Sequence, residues 1–130
     1  MSRVRARGRT PPKKRVRYDT LWRLALALPG VVEGTSYGTP AFKVGGKLLA
    51  RLREDGESLV IRIGFLEREV LMRADPETFY ITDHYLNYPA MLVRLPRVRA
   101  AKLRELLEQA WRLVAPKRLV HARDGEARRP

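Results

Sequence analysis

Between residues 33 and 63, in EGTSYGTPAFKVGGKLLARLREDGESLVIRI, apolar residues fall into three runs broken by Gly45-Gly46 and Asp55-Gly56. Both dipeptides supply the positive φ angles that tight hairpin turns require. The pattern predicts an antiparallel meander of three strands. With a two-residue turn at Asp55-Gly56, Leu52 faces Leu59, Ala50 faces Ile61 and Leu48 faces Ile63. Side chains alternate along a strand, so these six share one face. The other face then carries Leu49, Arg51 and Val60, with Arg62 opposite Leu49. The first hairpin admits two arrangements. A two-residue loop at Gly45-Gly46 puts Phe42 and Val44 on the outer face; a three-residue loop or a bulge turns them inward beside Leu48 and Ala50. Burying a side chain such as Phe42 is worth roughly 1.5–3 kcal/mol, which favours the inward arrangement and turns Lys43 outward.

Helical spacing flanks the meander. Asp19 or Thr20 is placed to cap a helix over about 20–28, which Pro29-Gly30 stops. Its Leu21, Trp22, Leu24, Leu26 and Leu28 cover more than one face, as in a well-buried helix. Residues 65–74 read as a short helix offering Leu66, Val70, Leu71 and Ala74 for packing, and Asp75-Pro76 ends it. Residues 79–82 form a strand candidate, and a polar, Tyr-rich loop follows over 83–89. Residues 91–95 alternate, with Met91, Val93 and Leu95 on one face and Arg94 on the other. Over about 97–115, Leu103, Leu106, Leu107, Ala110, Trp111 and Val114 recur at helical spacing. Glu108 and Arg112 add an i,i+4 pair in the better orientation, and Pro116 is expected to end the helix. The order is helix, three strands, helix, two strands, helix. It predicts an α+β fold, α-β(3)-α-β(2)-α, with an antiparallel sheet packed on helices on one face and open on the other.

Composition narrows the class. A chain of 130 residues makes one domain with one core. It has no cysteine, which excludes disulfides and cysteine-based zinc sites. No apolar stretch approaches the roughly 20 residues that cross a bilayer, and no apolar segment follows the basic start, so a cytoplasmic protein without a membrane partner is expected. The formal charge of +13 is unevenly spread. Residues 1–17 hold eight basic groups and no acid; residues 116–130 hold five basic and two acidic groups; the remainder is nearly balanced. A nearly neutral globule over 18–120 is therefore expected between two disordered tails, a basic one over 1–17 and a second over 121–130. Basic tails are drawn to polyanions by counterion release, without sequence preference.

No catalytic constellation emerges, so the chain is not expected to be an enzyme, and no cofactor is implied. His84 and His121 are the only histidines, and no spacing of His, Asp or Glu supplies a metal site. Ser36 and Ser58 lack a neighbouring base or a nucleophile-elbow context. Gly30, Gly34 and Gly38 do not form a phosphate loop and are better explained by turns. Glu54, Asp55 and Glu57 cluster at a hairpin tip, as solvated turns do. Asp83, His84, Tyr85 and Tyr88 mark the one loop with candidate functional groups.

Three segments carry a family resemblance: LALALPGVVEGTSYGTPAFKVGGKLLARL, TDHYLNYPAMLVRL and LRELLEQAWRLVAPKRL. In that order, across about residues 18–120, the chain resembles the MmcQ/YjbR family of small bacterial proteins. The resemblance implies the α–β₃–α–β₂–α order already read from the pattern, similar to type III secretion chaperones. It also implies DNA binding, since such proteins are commonly called double-wing DNA-binding proteins. It supplies no catalytic residues.

The expected nucleic-acid-binding groups follow from strand alternation. Lys43, Arg51, Arg62 and Arg94 project from one side of neighbouring strands, Arg53 extends the row at the hairpin tip, and Lys13, Lys14, Arg15 and Arg17 add charge from the tail. A cation-lined sheet face can bind phosphates, and Tyr80 can stack on bases if it shares that face. The expected partner is DNA or another polyanion. The alternative is a protein-interaction or chaperone-like module, monomeric or weakly dimeric, with Leu49, Val60 and Leu92 as an apolar strip on the same face.

Overall fold

The computed structural model describes residues 16–127. Helix α1 (Tyr18–Leu26) leads into four consecutive strands: β1 (Val31–Ser36), β2 (Thr39–Val44), β3 (Lys47–Leu52) and β4 (Ser58–Arg62). Helix α2 (Phe65–Ala74), β5 (Phe79–Tyr80) and a 3-10 turn (Asp83–Tyr85) follow, then β6 (Ala90–Arg94), a second 3-10 turn (Leu95–Arg97), α3 (Ala100–Val114) and α4 (Lys117–Ala127). The six strands form one sheet in the order β1-β2-β3-β4-β6-β5, with antiparallel neighbours throughout. The α+β class stands, with one more strand before α2 and one more helix at the end than the pattern predicts.

The added strand is β1. It is joined to β2 by Tyr37 and Gly38, both at positive φ (54° and 79°), closing at Ser36↔Thr39. Positive φ at both central residues is the turn that matches strand twist. The added helix is α4. Residues 121–127, expected to belong to a tail, lie within it; the rest of that tail, and residues 1–15, lie outside the described residues. Arg123 grips Glu108 of α3 through two bonds of 2.8 Å, and Arg112 reaches Asp124 at 2.9 Å. Gly30, at φ 75°, lets Leu119 of α4 approach closely; a Cβ there would lie 2.9 Å from its side chain. Proline at 116 ends one helix without preventing the next, since it fits a helix start.

The helix-covered face of the sheet holds the main core. Phe42, Val44, Leu49, Ala50, Leu59, Ile61, Met91 and Val93 are buried there with Leu103, Leu107, Ala110 and Trp111 of α3 and Leu21 and Ala25 of α1. Trp111 settles its one polar atom by donating Nε1–H to the Pro29 carbonyl at 2.8 Å. The β3–β4 hairpin keeps the expected register, Leu52↔Leu59 and Ala50↔Ile61. The turn at 54–57 is longer than two residues: Arg53 N–H bonds the Ser58 carbonyl at 2.8 Å, and Gly56 N–H bonds Arg53. The first hairpin takes the bulged arrangement. The register shifts between Phe42 and Lys43, so Phe42 pairs with Ala50 while Lys43 pairs with Leu48. Phe42 and Val44 turn inward and Lys43 outward, as burial favours. The extra residue is Leu49, which is fully buried; the expected pairing of Leu48 with Ile63 is lost to it.

Helix α2 has the expected bounds but not the expected packing. Leu66 and Val70 are exposed (81% and 65%), Ala74 is exposed, and the residue buried on this helix is Arg68. Leu71 and Met72 are partly buried against the main core.

Candidate nucleic-acid interface

The second face of the sheet is defined by the ladder Ala41↔Arg51↔Val60↔Leu92↔Tyr80. Alternation from that row puts Lys43, Arg62 and Arg94 on the same side as Arg51. Arg62 lies at the Ala90 end of β4, and Arg94 pairs with Ser58 at the other end. Arg53 continues the second row through its bond to Ser58.

This face is not open. Residues 81–89 cross it, and Tyr85, 8% exposed, packs with Val60, Ala90 and Leu92 into a small second cluster flanked by Tyr80 and Ile81. The expected apolar strip is therefore absent: Leu49 belongs to the main core, and Val60 and Leu92 are covered. Tyr85 is a packing residue, and the His84 ring stands edge-on to it at 4.8 Å. Asp83 and His84 are exposed on the 3-10 turn, and surface pockets of about 260, 380 and 370 Å³ lie elsewhere.

Arg68 fastens this crossing segment. Its Nη1 donates to the carbonyls of Tyr85, Tyr88 and Ala90 at 2.9, 2.9 and 3.0 Å, and its Nη2 to that of Leu86 at 3.0 Å. Its guanidinium lies 4.8 Å from the Phe65 ring centre. A planar fork of donors suits several convergent carbonyls, and a buried cation without such partners is costly. Nothing in the hydrophobic pattern marks Arg68, because the pattern registers only what burial does to apolar groups.

Three arginines of the face are each held by a tyrosine. Arg94 lies 3.9 Å from the Tyr80 ring centre and donates to the Glu77 carbonyl at 2.8 Å. Arg62 lies 5.5 Å from Tyr88 and donates to the Pro89 carbonyl at 3.2 Å. Arg51 lies 5.0 Å from Tyr37, whose ring is 83% exposed. Rings and carbonyls hold a guanidinium in place without cancelling its charge. Among the described residues, none of Lys43, Arg51, Arg62 and Arg94 forms an ion pair.

Arg53 differs, because Asp55 stands beside it. Burial alone would raise the Asp55 carboxyl. The amides of Glu57 and Ser58, the Ser58 hydroxyl and the Arg53 charge together outweigh burial and hold it below the ordinary value. Ser58 Oγ also meets the Tyr80 hydroxyl at 3.1 Å, which ties the hairpin tip to the ring under Arg94. Arg17 is exposed just before α1. Lys13, Lys14 and Arg15 lie outside the described residues, but Val16 N–H bonds the carbonyl of Leu95, the neighbour of Arg94.

An antiparallel sheet with helices on one face and a strapped, arginine-bearing second face defines the class. Residues 26–113 match the YjbR family model, and the chain belongs to that family. Uncharacterized proteins of Mycobacterium bovis and Mycobacterium tuberculosis are 30% identical to it over 123 residues, covering 81% of this chain and 93% of theirs. A crystal structure of protein DR2400 of Deinococcus radiodurans, with a DUF419 domain, is similar in fold at a TM-score of 0.66 and 26% identity, over 80% of each chain. No helix among the described residues is long and apolar enough to cross a membrane.

Proposed function

We propose that this YjbR-family protein is a non-enzymatic nucleic-acid-binding module that contacts phosphates through the Arg51, Arg62 and Arg94 face, with Lys43 at its margin. One observation carries the reading: the four cations share a face, and none is neutralised by a carboxylate among the described residues. The tyrosines restrict the guanidiniums before a ligand arrives, which lowers the entropy lost on binding. Arg17 and the basic residues before it in the sequence add sequence-independent affinity. Base reading is not part of the proposal, because backbone contacts position without specifying.

The test is fluorescence anisotropy of labelled duplex and single-stranded DNA over a salt series. The proteins are the full chain, the chain lacking residues 1–17, and Arg51→Ala/Arg94→Ala. Salt-sensitive binding that the double variant weakens supports the reading. Binding lost only with residues 1–17 assigns it to the tail, and no binding at low salt rejects it.

One observation favours a protein partner, away from the expected strip. Leu66 and Val70 stand exposed one turn apart on α2, beside half-exposed Phe65. An apolar ridge of that kind suits a helix or groove partner. Affinity capture with wild type and Leu66→Asp tests it; identical recoveries remove it.

A further inference from the structure

β1 is the outermost strand at one end of the sheet. It pairs with β2 without a register shift from Val31↔Val44 to Ser36↔Thr39. Its far side has no strand partner among the described residues. In a two-residue hairpin the closing pair exchanges both hydrogen bonds, and bonded and non-bonded pairs then alternate. Ser36, Gly34 and Val32 therefore bond to β2, while Glu33 and Thr35 direct N–H and C=O away from it. Pro40, opposite Thr35, has no N–H to offer.

Exposed edges are ordinarily blunted by lysine, proline, a bulge, brevity or a cover. The opposite edge, β5, is two residues long. β1 is six residues long, VVEGTS, with no lysine or proline. Its one charge is already engaged: the Tyr18 hydroxyl and Trp22 Nε1–H both donate to the Glu33 carboxylate. Exposed apolar groups flank the strand on both sides. Trp22 (40% exposed) stands on the helix side, Val32 (61%) on the other, and Tyr37 at the end. A regular strand edge that no described residue pairs with, between exposed apolar groups, is what strand addition uses.

We propose that β1 is a self-association surface, on which a second copy of this chain lays its own β1 antiparallel across a two-fold axis at Gly34. The strand's own sequence is self-complementary in that register. Centred on Gly34, Glu33 faces Thr35 of the second copy, and the two symmetric pairs use the outward N–H and C=O groups of both residues. A hydroxyl then meets each carboxylate, and Val32 meets Ser36. A register centred on Glu33 would set two carboxylates face to face, which is unfavourable. The contact is smaller than the roughly 800 Å² per partner of a standard stable interface. The dimer is therefore weak, with a dissociation constant on the order of 10–100 μM.

Sedimentation velocity and amide NMR on the full chain, from about 10 μM to about 1 mM, test this. The expected result is a dimer fraction that grows with concentration. Shifts and added exchange protection should centre on the Glu33 and Thr35 amides, while Val32 and Gly34, already bonded to β2, gain no protection. Thr35→Pro removes an outward N–H and no bond to β2, so it should give a folded monomer. Val32→Lys, at an exposed site, should weaken association at least about tenfold by setting a charge on the flank. A wild type that stays monomeric throughout overturns the proposal. So does association mapped to Leu66 and Val70, association unchanged in both variants, or protection of Glu33 and Thr35 that is independent of concentration.

Discussion

On one side of the sheet, Phe42, Leu49, Met91 and Val93 lie under Leu107 and Trp111, and apolar contact alone covers them. On the other side, Val60, Ala90 and Leu92 have only Tyr85 and its neighbours as cover, and guanidiniums surround them. The strands are the same, so each residue step serves both faces. The first face is held by area removed from water, which every buried methylene increases. The second is held by a few directed bonds, above all those of Arg68. The comparison teaches that the second cover of a sheet can be a small apolar cluster held in place by directed bonds. It also implies that the faces fail differently when damaged.

The largest effect is expected on the helix-covered face. Phe42→Ala empties a fully buried site and should cost about 3–5 kcal/mol in denaturant unfolding, with the whole domain melting as one unit. Arg68→Met should cost less, about 2–3 kcal/mol, because it leaves carbonyls of residues 85–90 without their donor. Its signature is local: hydrogen exchange should quicken in residues 81–89 and stay slow in α3. If Arg68→Met instead loosened α3 equally, the two faces would be one cooperative unit and the contrast would fall.

Acid should act on both sides. The Glu33 carboxyl is lowered by the Tyr18 and Trp22 donors, and that of Glu108 by Arg123 first, then by the Arg112 charge, against the opposing effect of burial. Asp55 is lowered on the opposite face. A group with a lowered folded pKa contributes stability above its ordinary value and loses it as pH falls through the folded one. Thermal midpoints should therefore drop progressively below pH 4.5 and 3.8, the ordinary values for these side chains. Tyr18 runs the other way: burial first, then Glu33, raises it from 10.0 to about 12, so its contribution holds below pH 10.0 and fades as pH rises through about 12. A midpoint unchanged on acidification would deny these contacts any part in stability. A smaller test is Tyr80→Leu, which keeps apolar cover but removes the ring under Arg94 and the hydroxyl that meets Ser58 Oγ. It should cost about 0.5–1 kcal/mol, read in thermal unfolding.

Legibility followed the same divide. The helix-covered face could be read because alternation and helical spacing record burial directly. Phe42, Leu59, Ile61, Met91, Val93 and the buried stripe of α3 all appear there as expected. The shared side of Lys43, Arg51, Arg62 and Arg94 was legible too, as the complement of that pattern. The cover over it was not, since Tyr85 sits in a polar segment and Arg68 in a charged one. β1 escaped because an edge strand buries little; its interior glycine and exposed valine suggest no core. The inward turn of Phe42 was legible with a bulge as one way to make it; the bulge's place at Leu49 was not, because the apolar count is the same wherever the extra residue falls. α4 escaped because Arg123 and Asp124, rather than an apolar stripe, tie much of it down.

The mildest substitution separates the needs of the fold from those of the proposed interface. Tyr37 holds φ 54° in the β1–β2 turn, where asparagine is favoured over an aromatic residue. A non-glycine residue in that conformation costs of order 1 kcal/mol, and asparagine relieves part of it. The stack on Arg51 that would be lost is worth about 0.5 kcal/mol, since the ring is largely in water. Tyr37→Asn should therefore raise stability only slightly, by less than about 0.5 kcal/mol in denaturant unfolding. It should also weaken DNA binding in the anisotropy series, because Arg51 loses its support and the face loses its most exposed ring. Opposite signs in the two assays would mean that the tyrosine is kept for a ligand at the turn's expense. A loss of stability would show instead that the Arg51 stack outweighs turn strain, and would return Tyr37 to a purely structural place beside Tyr80 and Tyr88.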